Sequence, residues 1–146
     1  MPNTEPESGA STKSIVHVAV GVVINRDRQV LIAKRHVEQH QGGLWEFPGG
    51  KVSQNESVQQ ALKRELQEEV NITVRECAAL LDIEYDYGDK QVLLDVWVVS
   101  VFSGKAKGCE GQPVKWIGVE EFSDYEFPAA NEEIITSVKN LLFPRR

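Results

Sequence analysis

Apolar residues recur along this chain with two periods, and the alternation between them lays out its elements. From Ile15, "IVHVAVGVVI" and then "QVLIAKR" are β-branched runs separated by "NRDR", which predicts a strand, a turn and a second strand. A loop, "HVEQHQGG", leads into the short apolar piece "LWEF", which "PGG" is expected to stop. "CAALLDIEYDY" and "KQVLLDVWVVSVF" read as an antiparallel hairpin turning at Gly88 and Asp89, and "PVKWIGV" as a further short strand. Between these runs the period changes to that of a helix. Ser53 and Glu56 have the S-x-x-E spacing of a capping box, so a helix is expected from near Gln54 to about Val70, roughly 25 Å long, with Asn71 as its left-handed stop. "ANEEIITSVKNLLF" predicts a closing helix whose apolar side carries Ile134, Ile135, Val138, Leu141 and Leu142. Strands and helices mix without regular βαβ alternation, so the expected class is α+β with a mixed sheet.

Composition narrows the function rather than the fold. A chain of 146 residues, 41% hydrophobic and 26% charged, has the profile of one globular domain. Residues 1–14, polar and rich in Pro, Ser, Thr and Glu, are expected to be a flexible tail, with residues 15–146 as the domain. The formal charge of -6 disfavours a nucleic-acid polymer as partner but permits a small anionic substrate if a cation reverses the local sign. No apolar run approaches the ~18 residues a bilayer demands, and Met1–Ser14 lacks the apolar segment of a signal peptide. A cytoplasmic monomer with no membrane partner is therefore expected. Cys77 and Cys109 are isolated, and read as reduced, partly buried small side chains.

The first helix carries an anomaly. Positions 58, 61, 62, 65, 66 and 69 form one stripe on a 3.6-residue helix, and they hold Val58, Ala61, Leu62, Glu65, Leu66 and Glu69. Two carboxylates thus continue an apolar face, with Glu68 on its flank. Like charges at i, i+3 and i+4 repel, and the C-terminal end of a helix disfavours negative charge. Arg64 can pair with one acid, whereas a hard divalent cation such as Mg²⁺ or Mn²⁺ can satisfy several. Gly49 and Gly50 let the backbone approach a ligand and expose carbonyls as further metal donors; taken alone they are a tight turn after Pro48.

Gly50, five residues, Glu56, seven residues, then "RELQEEVNI" from Arg64 to Ile72 resembles the signature box of the Nudix hydrolases, with Asn71 where that family usually has Gly. "LWEFPGGKV", "EGQPVKW" and "FPAANE" extend the likeness to the MutT-type branch, from His17 to Leu142. The resemblance implies an α/β/α sandwich around a mixed sheet. It also implies Mg²⁺-dependent release of pyrophosphate from nucleoside triphosphates such as 8-oxo-dGTP, which clears oxidised guanine from the pool that feeds DNA replication. By the same likeness Glu65, Glu68, Glu69, Glu110 and the Gly50 carbonyl hold metal. Glu65 is the implied base with Glu110 its rival, and Arg64 orients the carboxylates.

On the substrate side, Arg35 matches an arginine of that branch, with a strand-end surface charge as the alternative. Lys51 is set to add charge near the phosphates or to be simply solvated. Phe47 packs against the base or joins the core, and Lys90 lies within reach of a nucleotide. Asn131 either caps the last helix or reads a purine edge. Its amide offers a donor for O6 and an acceptor for the N7 hydrogen that 8-oxoguanine has and guanine lacks. His17, His36 and His40 show no ligand spacing, and Trp45, Trp97 and Trp116 are assigned to the core or its edge.

Overall fold

A computed structural model describes residues 14–36 and 42–143. The tail expected over residues 1–14 lies outside the described residues except for Ser14, which opens the first strand. That strand, β1 (Ser14–Val23), is the centre of the molecule. β2 (Val30–Lys34), β3 (Trp45–Glu46), β4 (Gly49–Lys51), α1 (Val58–Val70), β5 (Thr73–Asp86), β6 (Lys90–Ser103), β7 (Val114–Ile117) and α2 (Glu132–Leu142) follow, with 3₁₀ turns over Val119–Asp124 and Ala129–Asn131. One sheet has the order β4-β1-β6-β5 and is mixed, because β1 runs parallel to β6 while β4 and β5 pair antiparallel. A smaller antiparallel sheet has the order β3-β2-β7.

The continuous apolar run of β1 is explained by burial on both faces. Ala19 and Val23 pack with Ala61, Leu62, Leu66 and Val70 of α1. Val20 and Val22 pack on the opposite face with Ile134, Val138 and Leu142 of α2. The same period of two splits β2, sending Leu31 toward α1 and Ile32 toward α2. Each fully buried Leu or Ile contributes about 1.5–3 kcal/mol, so the two helices are held mainly by these faces. The α+β sandwich with a mixed sheet is the expected class. No helix among the described residues is long and apolar enough to cross a membrane.

Three expectations need correction. α1 starts at Val58, four residues later than the S-x-x-E spacing suggests. Ser57 is its N-cap, with the Ser57 hydroxyl accepting from the Gln60 amide and the Gln60 side chain accepting from the Ser57 amide. Glu56 does accept from the Ser53 amide at 2.8 Å, but Asn55 sits at φ 70°, which no helix can continue through. "PGG" does not merely end a strand: after Pro48 the chain pairs again, as β4 against β1. Leu141, placed on the apolar side of the last helix, is 42% exposed, since that side is narrower and centred on Ile134, Val138 and Leu142. The loop expected over "HVEQHQGG" lies largely outside the described residues. The hairpin turns at Gly88, and Asn71 closes α1 in the left-handed conformation at φ 63°.

Candidate active site

β4 positions the site. A side chain on Gly50 would run into the Glu65 carboxyl group, so this strand residue faces α1. Its neighbours Gly49 and Lys51 line a cleft on the other face of the sheet. Glycine at position 50 is therefore a requirement of close approach between β4 and α1. The Gly49 amide donates to Glu69 Oε1 at 3.0 Å. Glu65 and Glu69 thus both turn toward β4, in line with the buried Ala61, Leu62 and Leu66, whereas the Glu68 side chain is 61% exposed on the flank.

Arg64 gathers the acids. Its Nε and Nη2 donate to the two oxygens of Glu56 at 2.7 and 2.9 Å, its Nη1 to Glu65 Oε2 at 2.9 Å and Glu68 Oε1 at 3.4 Å, and Nη2 also to the Lys51 carbonyl at 3.1 Å. Arg64 thus pairs with Glu65, as expected, and closes a two-pronged contact on Glu56. The Arg64 hydrogen bonds hold the Glu56 carboxyl well below the usual range, at about 2, and Glu56 with Glu65 raises the guanidinium in return. One side chain thereby ties α1 to β4 and fixes the rotamer of Glu65.

Glu69 is the electrostatic outlier. Burial pushes its carboxyl up to about 8, against the pull of the Gly49 amide, and the nearby carboxylates of Glu46, Glu65 and Glu110 push it the same way. Glu110 stands exposed in the turn between β6 and β7, which is laid on the end of α1 by the Cys109 amide donating to the Glu69 carbonyl at 2.9 Å. Among the described residues no three carboxylate, imidazole or thiol groups already enclose a single point. A partly buried carboxyl surrounded by three others and by a close-packed Gly-Gly backbone nevertheless fits a hard divalent cation, because oxygen donors are what such an ion takes and its charge removes the repulsion among them.

The cleft beyond β4 is walled by Val16, Val18 and Val20 of β1, Val92 and Leu94 of β6 and Ile134 of α2. Arg35, Phe47, Lys51, Lys90 and Asn131 all line it. Arg35 is bound to Glu46, another lining residue, which burial raises and Arg35 pulls back. Phe47, 4% exposed, stacks on Phe127 at 5.5 Å, so it serves the core and the cleft together. Asn131 makes no side-chain capping bond to α2 although it stands at the N-cap position. The capping role is therefore unfilled, and the residue lines the cleft.

Glu46, Tyr87 and Gln112 belong to this region and were not singled out from the sequence. Glu46 had a weak signal, as an acid between aromatics in "WEF"; the other two had none. Of the histidines, His17 bonds Asp95 at 3.0 Å, with the Trp97 indole donating to the other oxygen at 2.8 Å; His36 is exposed, and His40 lies outside the described residues. Trp45 packs at the edge of one core cluster, and Trp97 and Trp116 at that of the other. Cys77 is half-buried, but Cys109 is exposed, contrary to expectation.

A mixed sheet between two helices, with acids presented across a Gly-Gly strand, is the architecture of the Nudix domain, and the pattern of that family matches residues 19–137. The chain belongs to the Nudix family and is a hydrolase of phosphoric anhydrides. Among relatives, it is 36% identical to the 8-oxo-dGTP diphosphatase of Escherichia coli (strain K12) over 126 residues, which cover 86% of this chain and 98% of that one. It is also 36% identical to the CTP pyrophosphohydrolase of the same organism, over 77% of this chain and 83% of the other. A solved MutT structure from a study of Aliivibrio salmonicida and Vibrio cholerae has 37% identity and a TM-score of 0.77, covering 86% of this chain and 97% of that one. Hydrolases of this family generally need a divalent metal and act on small nucleotides.

Proposed function

We propose that this chain is a cytoplasmic, monomeric, Mg²⁺-dependent nucleoside triphosphate pyrophosphohydrolase that converts 8-oxo-dGTP to 8-oxo-dGMP and pyrophosphate, with Mn²⁺ as a possible substitute. The observation that carries the reading is the placement of Asn131 and Arg35 in the cleft that ends at Gly49 and Lys51, one strand away from Glu65 and Glu69. A base held between β1 and α2 would direct its phosphates past β4 toward the acids. Glu65, Glu68, Glu69, Glu110 and the Gly50 carbonyl are the donors assigned to metal. When bound, the ion supplies neutralisation of phosphate charge and a lowered pKa for coordinated water.

The protein's own groups supply the rest. Lys51 meets the phosphates at the mouth of the cleft. Arg64 holds Glu65 in one orientation, so that this carboxylate can take a proton from the attacking water; Glu110 is the alternative base. At the other end, the Asn131 amide nitrogen donates to O6 and its oxygen accepts the N7 hydrogen of 8-oxoguanine. Guanine presents a lone pair there, and a mismatched buried polar pair costs about 1–3 kcal/mol, so the oxidised base is preferred. Arg35 and Phe47 contact the same ring.

The similarity to a CTP pyrophosphohydrolase supports a second reading, in which the cleft accepts a pyrimidine triphosphate. Pyrophosphate release from 8-oxo-dGTP, dGTP and CTP with Mg²⁺, for the wild type and Glu65→Gln, separates the two. Preference for CTP sinks the first reading, and full activity of Glu65→Gln sinks Glu65 as base.

A further inference from the structure

Among the described residues Gln112 is the buried polar side chain, 8% exposed in a core otherwise made of apolar groups. Both ends of its amide are used. Oε1 accepts from the Glu110 amide at 3.0 Å, and Nε2 donates to the Glu69 carbonyl at 3.2 Å. The loop it belongs to is wound tightly. The Gly111 amide bonds the Gly108 carbonyl at 3.1 Å, Gly111 takes φ 85°, and a side chain at Gly108 would strike the Gln112 carbonyl. Beyond it, the Pro113 carbonyl accepts from the Lys34 amide at 3.0 Å, which ties the loop to β2.

We propose that Gln112 is a positioning residue whose amide bridges the loop carrying Glu110 to the last turn of α1 carrying Glu69. The inference rests on the reading above, in which Glu69 and Glu110 share a divalent ion. The physical need is plain. Glu69 is fixed by its helix and by Gly49, while Glu110 is exposed at the tip of a turn. The Cys109 amide already ties the loop backbone to the Glu69 carbonyl, and the Gln112 amide extends that tie to the backbone of Glu110 itself. A buried amide that accepts from one ligand's backbone and donates to the other's orders the loop in advance, since leaving either end unpaired inside the protein is costly.

The test is calorimetric titration of Mn²⁺ alone into the full chain, checked by Mn²⁺ electron paramagnetic resonance, for the wild type, Gln112→Met, Gln112→Glu, Glu110→Gln and the double variant Glu110→Gln with Gln112→Met. Gln112→Met is expected to weaken Mn²⁺ binding by about 10- to 100-fold, the usual effect of losing an outer partner of a ligand. Gln112→Glu, which keeps the acceptor and loses the donor, is expected to bind more weakly than wild type as well. In the Glu110→Gln background the effect of Gln112→Met should shrink severalfold, because the residue acts through Glu110. A purely structural glutamine would cost the same factor in both backgrounds, and that result, or undiminished binding by Gln112→Met, overturns the proposal.

Failure of the wild type to take up Mn²⁺ overturns the metal reading itself, and the positioning role with it. If Gln112→Met does not fold, hydrogen exchange of the wild type decides. The Glu110 amide, on an exposed residue, is expected to exchange at least about tenfold more slowly than an unstructured amide; exchange at the free rate refutes the bridge.

Discussion

Replacing Glu69 by Gln should make this protein more stable while disabling it. The folded state holds the Glu69 carboxyl at about 8 against an ordinary 4.5, because burial and three neighbouring acids oppose its ionisation. The sign follows from the raised value: the folded state keeps a proton that the unfolded chain releases. Stability is therefore full below pH 4.5, falls as the pH rises between the two values, and levels off above 8. Each pH unit in that window removes about 1.4 kcal/mol, so from pH 5 to pH 8 the loss is roughly 4 kcal/mol. For a chain of this size that corresponds to a fall of about 10 °C in Tm. Gln cannot ionise and keeps an oxygen for the Gly49 amide, so the variant lacks this component.

Thermal unfolding of wild type and Glu69→Gln in EDTA, from pH 5 to pH 9, measures the difference directly, since all other titrating groups are common to both. The variant's advantage should grow with pH and shrink when Mg²⁺ is added, because a cation bound to the ionised carboxylate stabilises only the wild type to that extent. An advantage that stays constant across the range would refute the electrostatic account of Glu69.

Gly50→Ala places a methyl group against the Glu65 carboxyl; activity should drop by more than about 100-fold, with a Tm loss matching the roughly 1–3 kcal/mol of an overpacked contact. Arg64→Lys cannot reproduce the two-pronged contact with Glu56 while also reaching Glu65 and the Lys51 carbonyl, so kcat should fall about 10- to 100-fold with KM little changed, as read by steady-state kinetics. Leu66→Ala should cost about 2–5 kcal/mol in urea unfolding, because Leu66 is fully buried between α1 and the sheet. Asn131→Ala should lower the preference for 8-oxo-dGTP over dGTP by about 5- to 150-fold, the factor equivalent to 1–3 kcal/mol; an unchanged ratio would remove Asn131 from base selection.

What could be read from the sequence was whatever is decided locally. β-branched runs became strands because β1 and β2 are buried on both faces, and Asn71 ended α1 because it tolerates a positive φ. The inward course of Glu65 and Glu69 followed from helical spacing alone. The helix start was missed because S-x-x-E at Ser53 is followed at once by S-x-x-Q at Ser57, and the choice between them is made by the left-handed Asn55. Glu46 and Gln112 were missed for a related reason. Their partners, Arg35 and Glu69, stand 11 and 43 residues away, so nothing in the neighbouring sequence marks either pairing.

β4 is only three residues long, yet it separates two jobs. Gly50 looks toward the acids of α1, and Gly49 with Lys51 looks toward the pocket formed with α2. On the proposed function, recognition and bond cleavage would be built on opposite sides of a thin partition. Substitutions on the α2 side would then retune which base is welcomed while the cleavage apparatus stays as it was, leaving one scaffold free to diversify its substrates without reinventing its chemistry.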